Sequence, residues 1–269
     1  MLVEHLDIIL LLIMVGAVGG FLSGMLGIGS GVVFVPALHF VFEKMGVAPQ
    51  HLMQATVATS LAIIASAVAT AAWKRHKRGD VDWETFRCWV PFLVCGVVCG
   101  TLLASSVDGQ ILEKIFAVIT SAMALHIVFG RETSSESPKP WFTLPWQRTG
   151  VTLVGGLAAM TGLGGGVMMI PMMTMRGLHL QRAVGTGSLL SLFVAIPGAI
   201  TYIVTGWPVR AELAPYSLGY INIPAALLVA GCAMAAAHGG VAAAYALDKK
   251  IMRRIFAGVL IAVSLKMFW

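Results

Sequence analysis

Charge is what this chain lacks. Only 11% of its 269 residues are Asp, Glu, Lys or Arg, against roughly a quarter in a soluble domain. Together with 58% hydrophobic residues and a mean hydropathy of +0.88, that scarcity excludes a water-soluble globular fold and points to an integral membrane protein. No Asp or Glu falls near the centre of an apolar run, which argues against a carboxylate proton relay or a carboxylate sodium site. The alternating ten-residue pattern of a membrane barrel is missing too. The apolar runs instead approach the ~20 residues that cross a bilayer as helix, so the expected class is all-α, a polytopic helical membrane protein.

Other absences narrow the function. The four cysteines have no metal-ligand spacing. Cys88, Cys95 and Cys99 fall at i, i+7 and i+11, along one helical face rather than in disulfide geometry; they read as small packing residues or as a sulfur-handling stripe. The opening MLVEHLD carries two acids and no Lys or Arg, unlike a cleaved signal peptide, so it is expected to be retained. GIGSG superficially matches a dinucleotide loop, but the preceding strand and βαβ unit are absent. The net charge of +6 fits basic cytoplasmic loops rather than a nucleic-acid groove. No enzyme, cofactor, metal or nucleic-acid partner is expected.

What the chain has in abundance is glycine, gathered at two places. GMLGIGSGVVFVP runs from Gly24 to Pro36, and AMTGLGGGVMMIP runs from Ala159 to Pro171. A shift of 135 positions lays Gly27 on Gly162, Gly29 on Gly164, Gly31 on Gly166 and Pro36 on Pro171. Each glycine costs about 1 kcal/mol in a helix interior, so each cluster should unwind the apolar segment that holds it. The match continues beyond the motifs: HLMQATVATSL from His51 with HLQRAVGTGSL from His179, GDVD at Gly79 with GYIN at Gly219, Asp108 with Asp248, and IFA at Ile115 with IFA at Ile255.

The chain therefore divides into a first membrane repeat over 1–130, a polar linker over 131–148 and a second repeat over 149–269. The expected segments are a broken one at 7–42 and spans at 51–73, 88–107 and 111–129, then a broken one at 150–175 and spans at 183–204, 221–246 and 251–268. If each broken segment dips in and returns, with the N-terminus outside, 14 of the 18 basic residues lie inside and 4 outside. If each crosses fully and the N-terminus is inside, the split is 10 inside to 8 outside. The positive-inside bias favours the first arrangement, which makes the repeats inverted, each a re-entrant segment plus three crossings.

Paired, glycine-interrupted segments in two halves of a chain are the best sequence pointer to a transporter's binding site. A restarting half-helix offers unpaired N–H groups and partial positive charge to an anion. The candidate substrate-binding residues are Gly29, Ser30 and Gly31 with Gly164, Gly165 and Gly166, joined by the hydroxyls of Thr59, Ser60, Thr186 and Ser188. These hydroxyls could equally bond back to their own helices. Gly16, Gly20 and Gly24, and Gly96 with Gly100, have the four-residue spacing of helix packing. His126 and His238 could relay a proton or simply bond a neighbouring helix. Arg182, at the mouth of its span, could attract an anion or act as an interfacial anchor.

GMLGIGSGVVFVPAL, GGLAAMTGLGGGVMMIPMM, ATVATSL and AVGTGSL together resemble the sulfite exporter TauE/SafE family, also called the toluene-sulfonate uptake permeases. The resemblance covers both halves, with one departure: Ser30 stands where glycine is common, so the two half-sites are chemically unequal. It implies a carrier of sulfite, thiosulfate or an organosulfonate, multi-pass in the bacterial inner membrane. The expected partners are thus a small anionic sulfur compound and the lipid bilayer, with a homo-oligomer left open. The resulting expectation is a secondary transporter, an exporter working by alternating access between the glycine breaks; a sulfur-relay protein, an anion channel and a structural subunit of a larger complex are the alternatives.

Overall fold

The computed structural model describes residues 2–26, 31–129, 143–246 and 258. Among them the chain is helical almost throughout: α1 Leu2–Leu26, α2 Gly31–Lys44, α3 Pro49–Lys77, α4 Trp83–Ser106, α5 Gly109–Phe129, α6 Leu144–Thr161, α7 Gly166–Met175, α8 Leu180–Gly206 and α9 Ile223–Ala246. A short 3-10 turn at Arg210–Glu212 and a two-residue hairpin, Ser217–Leu218 paired with Ile221–Asn222, join α8 to α9. Five stretches among the described residues are long and apolar enough to cross a bilayer: Asp7–Met25, Pro49–Lys77, Trp83–Ser106, Leu180–Gly206 and Ile223–Ala243. The protein is a multi-pass membrane protein.

Helix ends follow local chemistry. Proline opens α3 and α6, where its missing N–H costs nothing. Asp82 caps α4 by accepting from Thr85 N at 3.0 Å, and Asn222 caps α9 by accepting from Ala225 N at 3.1 Å. The Asp82 cap lengthens α4 beyond the expected start at Cys88. The second glycine-rich segment is split into two helices, α6 and α7; in the first, α1 and α2 flank residues 27–30, which lie outside the described residues. Helix α6 begins at Leu144, within the stretch read as linker, and the expected last span at 251–268 lies outside the described residues apart from Gly258.

Packing places α3 and α8 at the centre. Buried residues run without interruption from Leu52 to Leu61 on α3, the mark of a helix enclosed on every side. The two run antiparallel: the turn after α3 meets the start of α8, where a Cβ on Gly185 would fall 2.2 Å from Asp80 O, and Leu61 meets Gly198 further along.

Two parallel seams of small residues flank this pair. Gly16 faces Val229 and Cys232, Gly20 faces Ala233, and Gly24 faces Ala237, so α1 lies along α9. Gly96 faces Thr152 and Gly100 faces Gly156, so α4 lies along α6. The spacing of four brings the backbones together as small residues allow in membranes. The packing role expected for these glycines is the one observed. Each seam joins a helix from before residue 130 to one from after residue 143.

The seam gives a sharp expectation. A Cβ at Gly20 would sit 2.3 Å from the Ala233 carbonyl oxygen, so Gly20→Val should cost at least the ~1–3 kcal/mol of an overpacked core site. Gly231 has nothing within 4 Å of its would-be Cβ, and Gly231→Ala should be neutral or stabilising by up to ~1 kcal/mol. Thermal unfolding of the purified protein in detergent separates the two; equal melting temperatures would contradict the seam.

Candidate functional site

The described break is built from backbone that only glycine adopts easily. Gly162, Gly164 and Gly165 have φ of 68°, 77° and 74°, the left-handed region that disfavours a Cβ. Gly162 ends α6 with its N–H on Ala158 O, and Leu163 N donates to the same carbonyl at 3.2 Å, as in a glycine-terminated helix. Gly165 then caps α7, its carbonyl accepting from Met168 and Met169 N at 3.1 Å. The Gly166 N–H is already taken by Gly164 O at 3.0 Å. Thr161 through Gly166 are all buried.

Three other elements close around the break. Gly31, the first residue of α2, packs so tightly that a Cβ there would lie 2.0 Å from Gly162 O and 2.7 Å from Leu163 Cα. The two glycine-rich segments therefore meet. Val35 of α2 and Val57 of α3 cover Gly162 itself, and Val194 of α8 covers Gly165. Ser60, fully buried on α3, donates to Gly162 O at 3.1 Å. Its hydroxyl crosses to the break instead of returning to its own helix.

The remaining candidates divide. Thr186 Oγ1 accepts from Asp82 N at 2.8 Å, and Thr59 Oγ1 accepts from Asn222 N at 3.1 Å. Both threonines thus hold the N-cap residue of a neighbouring helix, α4 in one case and α9 in the other. Ser188 donates to Val184 O of its own helix at 2.9 Å. His238 bonds Met234 O, one turn back, through Nδ1 at 2.9 Å. Arg182 is exposed and lines an open cleft of about 440 Å³ with Gly79, Asp80, His179, Leu180 and Gln181. Gly29, Ser30 and the His126 side chain lie outside the described residues. On α4, Cys95 and Cys99 are exposed and Cys88 half-buried.

Two residues that sequence reasoning missed hold the helix ends before the breaks. Arg75 Nη2 donates to Gly24 O in the last turn of α1 at 3.1 Å. Tyr202 Oη donates to Ala159 O in the last turn of α6 at 3.5 Å. Tyr202 packs edge-on against Tyr220 of the hairpin, whose phenol is pushed up by burial and then by the nearby Glu212 carboxylate. Arg75 stands second in the basic run Lys74, Arg75, His76 and Lys77 that ends α3, where an inward-turned side chain is hidden by its neighbours.

A family model described as sulfite exporter TauE/SafE matches residues 12–267. The chain belongs to the sulfite exporter TauE/SafE family. Among its TauE/SafE relatives, a probable membrane transporter protein of Haemophilus influenzae is 33% identical over 263 residues, covering 97% of this chain and 98% of the relative. One from Methanocaldococcus jannaschii is 29% identical, covering 84% and 83%. A more distant one from Bacillus subtilis is 21% identical, covering 76% and 83%. No solved structure matches the chain significantly.

The paired caps carry a prediction. Thr186→Val and Thr59→Val keep the shape and remove the acceptor, stranding the Asp82 and Asn222 N–H groups at a cost of about 1–3 kcal/mol each. Both variants should melt lower than wild type and by similar amounts. Unchanged melting of either would show that its threonine does not hold the neighbouring helix.

Proposed function

We propose that this TauE/SafE protein is a secondary transporter that exports a small sulfur-containing anion, such as sulfite, thiosulfate or an organosulfonate, across the bacterial inner membrane. The observation that carries the reading is the meeting of the two glycine-rich segments inside the helical bundle, Gly31 against the break at Gly162 and Leu163. Non-helical backbone at membrane depth is tolerated where it is buried in protein or lines a cavity, and transporters place substrate at such paired breaks. The substrate group is Gly29 to Gly31 and Gly164 to Gly166, with Thr59, Ser60, Thr186 and Ser188 around them. Thr59 and Thr186 contribute by fixing where α9 and α4 begin.

An inverted-repeat architecture is supported by direction. Helices α3 and α8, which the sequence match sets in register, run antiparallel, as equivalent helices do across an axis in the membrane plane. The hydrogen bonds of Thr186 to Asp82 and of Thr59 to Asn222 recur at the matched segments GDVD and GYIN. In this arrangement α1 with α2, and α6 with α7, are the re-entrant pairs. Alternating access then opens the meeting point of the two breaks to one side at a time. An inside-negative membrane favours outward flux of an anion by about 2.3 kcal/mol per charge per 100 mV, so export runs without a coupling ion. Arg182 and its cleft draw the anion to the inner mouth.

Purified protein in liposomes should move labelled sulfite or thiosulfate in preference to chloride. Gly165→Leu with Gly166→Leu should abolish that flux while the protein still inserts, because Gly165 has a φ of 74° and both residues are buried. Wild-type rates in the double variant would remove the breaks from the substrate path. The sulfur-relay alternative is separated by Cys88→Ala, Cys95→Ala and Cys99→Ala together: transport should remain close to wild type, and complete loss would favour the thiols.

A further inference from the structure

Two spanning helices end together in a cluster of exposed rings and charge. A short turn after Lys77 joins α3 to α4, so the spans Pro49–Lys77 and Trp83–Ser106 reach the same bilayer surface there. Trp73 is 61% exposed and Trp83 43%. The exposed His76 ring lies between them, its centre 6.3 Å from that of Trp73 and 5.5 Å from that of Trp83. Lys77 Nζ sits 5.0 Å from the centre of the Trp73 ring. Trp83 meets Phe86 edge-on, and Phe86 meets Phe193 of α8 in the same way, so the outer rings are fixed to the bundle by the inner ones. Exposed indoles at the ends of spanning helices stand at the level of lipid headgroups.

Charge at this end is unbalanced. Lys74, Arg75, Lys77 and Arg78 fall within residues 74–78, whereas the opposite ends of the same two helices, residues 46–51 and 104–110, hold no Lys or Arg. Three acids follow the basic run, Asp80, Asp82 and Glu84. Asp82 is committed to the α4 N-cap, accepting from Thr85 N at 3.0 Å, and Glu84 pairs with Arg176 Nη2 at 2.7 Å. Asp80 is then the one acid of the three left to set against four cations. Positive charge beside exposed indoles suits a partner that is itself half apolar and half anionic. A soluble anion uses the charge and ignores the rings; a phospholipid uses both.

We propose that the end of α3 and the start of α4 form a binding site for an anionic phospholipid of the cytoplasmic leaflet, separate from the path of any transported solute. The positive-inside bias assigns this end to that leaflet. The Lys77 ammonium takes the phosphate, and Lys74 and Arg78 strengthen the attraction around it. The Trp73 and Trp83 rings cover the glycerol region and the first part of the acyl chains, with their N–H groups as further donors. At the far end of α8, Trp207 also carries a cation, Arg210, 4.7 Å from its ring centre, but Glu212 follows two residues later. That pair serves as the control.

The test measures equilibrium binding of dioleoyl phosphatidylglycerol and of dioleoyl phosphatidylcholine to the detergent-purified full chain, by native mass spectrometry. Wild type should bind the anionic lipid at least about tenfold more tightly. Each cation near a headgroup is worth about fivefold, so Lys77→Gln should narrow the preference about fivefold with the unfolding temperature unchanged, while Arg210→Gln leaves it at the wild-type ratio. Trp73→Leu with Trp83→Leu should weaken both lipids at least about threefold. Equal binding of the two lipids by wild type would overturn the proposal, as would a wild-type preference in Lys77→Gln. Equal losses in Lys77→Gln and Arg210→Gln would trace the preference to overall charge and overturn the site. Full displacement of the anionic lipid by an equimolar amount of inorganic phosphate would make it a soluble-anion site and overturn the assignment to lipid.

Discussion

Backbone that leaves the helix within a bilayer has to find all its hydrogen-bond partners in the protein, because lipid offers none. That constraint shapes everything around Gly162 to Gly166. The segment turns back through three left-handed glycines, uses its own carbonyls at Ala158, Gly164 and Gly165, and takes one further donor from Ser60. Side chains would block this arrangement twice, by forbidding the backbone angles and by filling the space in which Gly31 meets the Gly162 carbonyl. The central helix α3 is enclosed and supplies one wall of this region, while α8 covers it with one face and leaves Ile196, Ile200 and Val204 exposed on the other.

The same economy governs the neighbouring helix starts. Helices α4 and α9 begin at Asp82 and Asn222, each capped by its own side chain and tied by its own N–H to a threonine of a central helix. Two hydrogen bonds at each N-cap fix both where the helix begins and how it lies against α8 or α3. A pair of hydroxyls positioned near the breaks thus sets the framework within which any solute would be bound.

Much of the architecture was legible from hydropathy and glycine spacing. The interruption at Gly162 to Gly166, the long spans and the packing role of Gly16, Gly20, Gly24, Gly96 and Gly100 follow from backbone physics that is local to the sequence. Helix ends were less so: α4 starts five residues before the apolar run because Asp82 is a good cap, and α6 reaches back into a polar stretch behind Pro145. The roles of Thr59 and Thr186 were not visible, since a hydroxyl in an apolar helix bonds its own turn by default and only the fold brings Asn222 and Asp82 within reach. Arg75 was hidden for a related reason. Within Lys74, Arg75, His76 and Lys77, composition alone gives a solvated helix end, and tertiary packing decides which of the four turns inward.

The seam between α1 and α9 joins Gly20 to Ala233, 213 positions apart, and this has a consequence for biogenesis. When α1 leaves the translocon, the ribosome has not yet made the surface that covers its glycine stripe. Helix α1 must wait in lipid with that face uncovered until α9 emerges. The seam between α4 and α6, whose partners are 56 positions apart at Gly96 and Thr152, closes much sooner. Assembly therefore proceeds from the middle of this region outward, and α1 is among the last of its helices to be locked in place.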